Sequence, residues 1–401
     1  MRRGAWHQFG HSSQKLALEQ LRLGSGVGVI ISPRDLREGL AIDYCKKYKE
    51  AGADILIDQQ FYIPDACCGK LPSYSLARFR DAVYKLNRLT EDQITDFAKE
   101  IERLHRATNA TGVIAPAVVF EAGRDDIVEL NNHLFLAAKL AGDNIGIPTY
   151  RTVVLGQSVT ETDNLMNSTM SKATGQNCDG WYFGFEFACK RIPDDFEKVR
   201  RCCVAGLTLA NTGKPVLHAY AGPLAPLSLS FGSTGVGVGH SQNLWQFPRE
   251  RWSHATTQGG GGDAPPRFFS KNLWGTLVYP DEVAMLPPAL LDIITTTSTF
   301  SAHVSNRPPF LSWSRWNANK HFVFIVSTFI EHLSGETNPR IISTKVMEHL
   351  ENAVALYEQV KGHISELRDN SDSYQSIWLE VLEFILKENK RDFDFLEMIT
   401  E

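Results

Sequence analysis

No run of about 18 apolar residues occurs in the chain, so nothing in it reads as a membrane-crossing helix. Met1 to Gly10 carries two arginines but neither an apolar core nor a small-residue cleavage site, which argues against a secretory leader there. No CxxC or CxC pair is present. The seven cysteines (Cys45, Cys67, Cys68, Cys178, Cys189, Cys202 and Cys203) are an odd number, set as two adjacent pairs and three singletons. That makes a poor disulfide framework and points to reduced thiols in a cytoplasmic protein. Excess positive charge is also lacking. Lys plus Arg number 41 against 46 Asp plus Glu, a net charge of −5, which excludes a wholly basic nucleic-acid binder but not a local basic face. The glycine-dense stretch Gly232 to His240 (GSTGVGVGH) has no following GK[ST], so it is not a Walker loop, nor does it open a clear dinucleotide unit. It suits either a backbone cradle for a phosphate or a tight corner.

What is present is an alternation of strand and helix patterns. With 401 residues, 43% hydrophobic and 22% charged, the chain has material for a barrel and an appendage. Strands are predicted at Gly26–Ser32, Asp54–Asp58, Val113–Phe120, Thr149–Leu155, Trp181–Phe187, Lys214–Ala221 and Gly235–Gly239. Helices are predicted between them, at Pro33–Ala51, Thr90–Arg106, Asp125–Ala141, Thr160–Thr174 and Pro193–Ala210. Seven or eight such units over roughly 260 residues fit an α/β fold of the (β/α)₈ TIM-barrel type better than an open doubly wound sheet. The implied partition is an N-terminal segment 1–25, a barrel 26–285 and a helical C-terminal region 286–401. Gln258 to Pro266 (QGGGGDAPP) reads as a surface loop, and Arg267–Val278 as added strand-like edges. Helices are expected at Asn319–Ser334, Ser343–Leu367 and Tyr374–Lys390. Residues 331–401 hold 7 Lys and Arg against 15 Asp and Glu, a net −8 that leaves about +3 for the rest. An acidic face repels a phosphate backbone, so this region suits a protein partner or plain solvent.

In such a barrel, reactive groups lie at the C-terminal strand ends and in the loops beyond them. That rule selects Asp58, Glu121, Gln157, Glu186, Tyr220 and His240. His218 falls inside a strand and suits a satisfied barrel histidine. Carboxylates at strand ends also cap the following helix, which competes with a site role for Glu121 and Glu186. Asp58 is the sharper case. It closes an apolar strand and precedes Gln59, Gln60, Phe61 and Tyr62. Aromatic faces stack on a flat heterocycle while an acid and amides read its edge, and desolvation suits the acid to proton transfer.

The order of these segments resembles the tRNA-guanine transglycosylase family, whose barrel enzymes exchange guanine for a 7-deazaguanine base. From Thr152 to Gly184 the chain has a strand, a GQS turn, a helix and a DGWYFG strand similar to the family's QGS turn and DG-aromatic strand. KPVLHAYAG (214–222) is similar to its KP strand, LTEDQITDFAKEI (89–101) to its LTPE helix, and Arg315–Val360 to its C-terminal helices. The chain also departs from the pattern. Where the family has a CxCxxC-plus-His zinc cluster, residues 295–310 contain no cysteine, so no metal is expected and no cofactor is implied. Where the family has its nucleophilic aspartate, GVGVGHSQNLW (235–245) has no acid, and His240 or Ser241 falls nearby. At Asp58 two registers compete: IDQQFY against DSGGFQ makes Asp58 the acid–base residue, whereas GADILIDQQFY against the family's GA-x-IILGNTYH strand leaves that residue without a counterpart.

The resemblance implies a protein acting on guanine or 7-deazaguanine N-glycosidic bonds. Asp58 and His240 would be catalytic, and Gln59, Phe61, Glu121, Gln157, Gly184, Glu186 and Tyr220 would surround the base. The acceptor stays open among tRNA, DNA, a nucleotide and a protein conjugate. The family's habit implies a homodimer. The missing zinc module and the acidic tail resemble members from DNA-modification and phage-defence clusters. Two rivals stand beside this reading: a catalytically lapsed deazaguanine-binding or partner-docking protein, favoured by the absent nucleophile, and an unrelated barrel hydrolase or lyase.

Overall fold

The structure is a computed structural model that describes residues 1–63, 69–80, 88–187, 192–247, 249, 265–295, 313–364, 367 and 374–400. Cys67, Cys68, Cys189, most of the 258–266 loop and nearly all of 295–310 lie outside the described residues.

Eight parallel strands form one sheet in the order β3-β2-β1-β8-β7-β6-β5-β4, a nearly closed TIM barrel. They are β1 Gly4–Gln8, β2 Gly28–Ile31, β3 Asp54–Ile57, β4 Val113–Ile114, β5 Thr149–Leu155, β6 Gly180–Phe185, β7 Val216–His218 and β8 Gly235–Gly239. β3 and β4 meet through Thr111 instead of a ladder: its N–H donates to the Ile55 carbonyl (2.8 Å), and its hydroxyl accepts from the Ile55 N–H (3.0 Å). The segment 113–120 is strand only at Val113–Ile114, with a further bridge at Phe120 to Leu155.

Two periodicities sort the side chains. Ala5, Val29, Ile55, Ile57, Val153, Leu155, Trp181, Phe183 and Val236 face the helices in the main core. Their strand neighbours Trp6, Ile30, Leu56, Tyr150, Val154, Tyr182 and Leu217 fill the lumen. The inward positions of β8 are glycines. A Cβ on Gly235 would lie 2.8 Å from Trp6 Nε1, and one on Gly237 3.0 Å from Gln8 Oε1. The glycine-dense stretch is therefore the corner of the two earlier alternatives, made small so that β1 side chains can fill the lumen.

The outer layer is α1 Ser13–Arg22, α2 Glu38–Glu50, α3 Glu91–Thr108, α4 Asp125–Ile145, α5 Asp163–Thr174, α6 Phe196–Ala210 and the short α7 Ala225–Ser230. A capping box starts α3: the Thr90 hydroxyl accepts from the Gln93 N–H while Gln93 Oε1 accepts from the Thr90 N–H. β9 Arg267–Ser270 and β10 Gly275–Val278 form an antiparallel hairpin beside the barrel, followed by α8 Asp281–Ala284 and α9 Pro288–Ile294. The long C-terminal helices are α10 Arg315–Ser334, α11 Pro339–Lys361, α12 Tyr374–Glu388 and α13 Lys390–Thr400. Among the described residues, no helix is long and apolar enough to cross a membrane.

Packing draws the domain boundaries differently from the sequence. The barrel begins inside the segment assigned to 1–25, because β1 pairs with both β2 and β8. Beyond residue 285, α10 lies across β1 and β8, and its Phe322, Val323, Val326, Phe329 and Ile330 share one core with Ala5, Phe9 and Leu16. The helical extension thus completes the barrel's own outer layer. Of the cysteines, Cys45, Cys178, Cys202 and Cys203 are free and buried.

Candidate functional site

The polar groups of the lumen collect one step above its apolar layers, at the C-terminal strand ends. Gln8 follows Trp6 on the inward side of β1, Ser32 follows Ile30, and Asp58 follows Leu56. Asp58 is 1% exposed. Its Oδ1 accepts from the Tyr62 hydroxyl (2.6 Å) and the Gln60 N–H (3.2 Å). Its Oδ2 accepts from the hydroxyls of Tyr182 (3.0 Å) and Tyr220 (3.2 Å). Gln60 and Tyr220 both adopt left-handed backbone, with φ of 57° and 54°. For non-glycine residues that is a strained conformation, held only where the surroundings over-determine it. Gln60 Oε1 in turn accepts from the Ser32 hydroxyl (2.9 Å).

Burial pushes the Asp58 carboxyl up to about 6, while the tyrosine hydroxyls and the Gln60 N–H pull it back. The phenols of Tyr62 and Tyr182 are driven well above their ordinary value, first by burial and then by the Asp58 charge, so they stay donors. Two buried amides, one on β1 and one next to Asp58 in sequence, keep unused capacity. Gln8 Nε2 has no partner, and Gln59, fully buried, has none for either amide atom.

A second set of charges occupies the β4–β6 side of the mouth. Glu121 follows Phe120, Gln157 and Ser158 follow β5, and Glu186 follows β6. Arg249, beyond β8, joins them. Its Nε lies 2.7 Å from Glu186 Oε1, and its Nη2 pairs with Glu121 Oε1. Glu186 is 2% exposed and its other oxygen accepts from the Gln157 N–H (3.1 Å). The Ser158 hydroxyl donates to Glu121. The Arg249 guanidinium is held above its ordinary pKa by the two carboxylates, against the opposing effect of burial. A half-enclosed pocket of about 240 Å³ opens beside this cluster, walled by Tyr62, Ile63, Val118, Val119, Glu121 and Arg249. Tyr62 belongs to both halves: its hydroxyl donates to Asp58, and the residue lines the pocket.

Several expected residues play other parts. Phe61 is not at the mouth: it is fully buried and stacks on Phe97 in the outer core (5.7 Å, 8°), because the aromatic that turns inward is its neighbour Tyr62. Gln157 contributes its backbone N–H, while its side chain is exposed. Gly184 makes room: a Cβ there would meet Val154 Cγ2 at 3.1 Å and Phe247 Cδ2 at 3.7 Å. His240 stands apart from Asp58 and is held at the joint of β8 and α1, its Nδ1 2.8 Å from Ser13 Oγ. His218 packs outside the barrel with Ser228 (2.6 Å) and Cys202 (3.9 Å), and burial drives the Cys202 thiol far up, so this trio is inert core. The sequence reading missed Tyr182, Arg249 and Tyr62 as a hydrogen-bond donor. Tyr182 was recoverable from strand alternation. Arg249 lies 128 and 63 residues from its two partners and had no local signal.

Among the described residues, no group of three or more His, Cys, Asp or Glu side chains is placed to hold a metal ion. No family model and no curated protein matches the chain. Among solved structures it is similar to a xylose isomerase-like TIM barrel/4-hydroxyphenylpyruvate dioxygenase fusion protein, at 15% identity and a TM-score of 0.32, over 61% of this chain. The chain spans 39% of that protein's length.

Proposed function

We propose that the barrel mouth binds a guanine-type base and exchanges it at an N-glycosidic bond, the reaction class of the transglycosylases. The observation that carries this reading is the carboxylate pair Glu121 and Glu186, which grips a guanidinium beside Tyr62 and one tyrosine away from the buried acid Asp58. The edge of guanine that carries N1–H and the 2-amino group is an N–C–N array of donors with the layout of a guanidinium fork, without its charge. Adenine presents an acceptor at N1, which two carboxylates would repel. The phenol ring of Tyr62 supplies a flat wall for the base.

Asp58 handles the proton. With a pKa of about 6 it is protonated in about a tenth of the molecules at neutral pH and can give that proton to the departing base. The C–N bond breaks with its electron pair going to the base nitrogen. The sugar is left as an oxocarbenium ion facing the newly charged carboxylate. The incoming base attacks the same carbon and returns its N–H proton to Asp58. Tyr182 and Tyr220 hold the carboxylate in place throughout.

One observation favours binding without chemistry. Gly235, Gly237 and Gly239 occupy the inward positions of β8 and His240 is turned to Ser13, so that strand end offers no second carboxylate for a covalent intermediate. The deciding experiment is calorimetric titration with guanine, 7-cyano-7-deazaguanine and adenine, joined to labelled-guanine uptake into RNA and DNA. The expected result is at least tenfold preference for the guanine-type bases, lost in Glu121→Gln. Asp58→Asn should keep binding and lose exchange by about a hundredfold or more. Binding without uptake in the native chain selects the second reading. Equal binding of adenine, or no binding of any base, overturns both.

A further inference from the structure

We propose that Arg249 is an internal occupant of the base site, and that the segment 241–247 leading to it is a strap that a base must displace to reach Asp58. The inference rests on the base-binding reading above and adds its regulation. Arg249 presents to Glu121 and Glu186 the same kind of donor fork that the base would present. Glu186 is nearly sealed from solvent, so its charge needs a partner at every stage. Exchanging the Arg249 fork for the N1–H and 2-amino edge of guanine keeps the carboxylates hydrogen-bonded, the base supplying donors in place of the cation.

The strap is built into the lumen rather than laid on it. Leu244 is fully buried in the lumen cluster, and a Cβ on either Gly10 or Gly239 would overlap it. Trp245 stacks on Phe322 of α10 (4.3 Å, 28°). Phe247 meets Tyr62 and Tyr220 edge-on, at 5.0 and 5.7 Å between ring centroids. Those are two of the three tyrosines that hold Asp58, so Phe247 lies on the cover of the acid. Withdrawing Arg249 would free both carboxylates, and lifting Phe247 with it would uncover the two phenols. Recognition of the base and exposure of the acid are therefore one event. The apparent affinity for base is reduced by the fraction of molecules in which the strap is closed.

The test measures guanine affinity together with hydrogen exchange of the 241–247 amides in the native chain, Arg249→Ala and Arg249→Lys. Arg249→Ala should bind guanine at least tenfold tighter and exchange faster over 241–247. Methylguanidinium added to Arg249→Ala should restore protection and compete with guanine. Arg249→Lys keeps the charge but not the fork, and should fall between; it carries the same comparison if the alanine variant does not fold. Unchanged exchange and unchanged affinity would overturn the strap while leaving the base reading intact. Weaker guanine binding in Arg249→Ala would make Arg249 a ligand contact and overturn it as well. If guanine binds no variant yet methylguanidinium restores protection, the base reading fails and the internal occupant stands.

Discussion

A carboxylate folded among three phenols stabilises the protein in one protonation state and strains it in the other. Asp58 has its pKa raised by burial to about 6 from an ordinary 3.8. The folded chain therefore holds this proton more tightly than the unfolded one. The associated stability is complete below about pH 4 and is lost as pH rises through 6, reaching about 3 kcal/mol by pH 7. Asp58→Asn removes that loss, since an amide oxygen still accepts from the tyrosines. Urea unfolding at pH 5 and pH 8 should show the variant gaining on the native chain at the higher pH; a constant difference would refute the burial argument. Asp58 itself was legible in the sequence as an acid closing an apolar run. Its partners were not, because Tyr182 and Tyr220 are 124 and 162 residues away. Local pattern carries the end of a strand and carries nothing about who meets it across a barrel.

At the scale of elements, the long periodic segments were read well and the short ones were not. β5 and β8 were predicted with the bounds observed, and the start of α4 at Asp125 was as expected. β1 was missed because GAWHQ has no apolar run: His7 and Gln8 are polar on opposite faces, and both are buried. The strand is specified by its neighbours, β2 and β8, more than by its own composition. β8 shows the complementary case. Its glycines are silent about what they accommodate until Trp6, Gln8 and Leu244 are seen filling the space. Gly239→Ala should therefore push Leu244 out of its seat and lower stability by about 1–3 kcal/mol in urea unfolding. A change within a few tenths of a kcal/mol would mean that the strap adjusts freely.

Taken whole, the molecule buries at least five imidazoles whose charged form burial disfavours. His7, His105, His321 and His349 are pushed down to about 4, and His218 to about 3, in each case chiefly by burial. A base with a depressed folded pKa adds stability above its ordinary value near 6.5 and loses it as pH falls towards 4. These five act against the opposite trend of the carboxyls of buried Asp58 and half-buried Glu331, so acid should destabilise the protein steeply between pH 6.5 and 4. Unfolding free energies at pH 7, 6 and 5 measure the protons taken up; a flat profile would mean that water reaches these rings. The same scale shows why the domain partition was not legible. Acidic composition separated residues 331–401 from the rest, yet charge marks their solvent face only. Their apolar side binds the barrel and its hairpin: Trp378 donates its indole N–H to the Pro193 carbonyl (2.8 Å), and Gln375 donates to the Leu273 carbonyl of the β9–β10 turn (3.0 Å).

The join between β3 and β4 has a mechanical consequence. A hoop stitched by ladders at seven seams, and fastened at the eighth by Thr111 and, beyond the strands, by the Val119 N–H donating to the Tyr62 carbonyl (3.0 Å), opens first at that eighth seam. Asp58 stands just past the strand on one lip and Glu121 beyond the strand on the other. Any widening of the hoop thus spreads the buried acid Asp58 from the Arg249-paired Glu121, and any tightening draws them together.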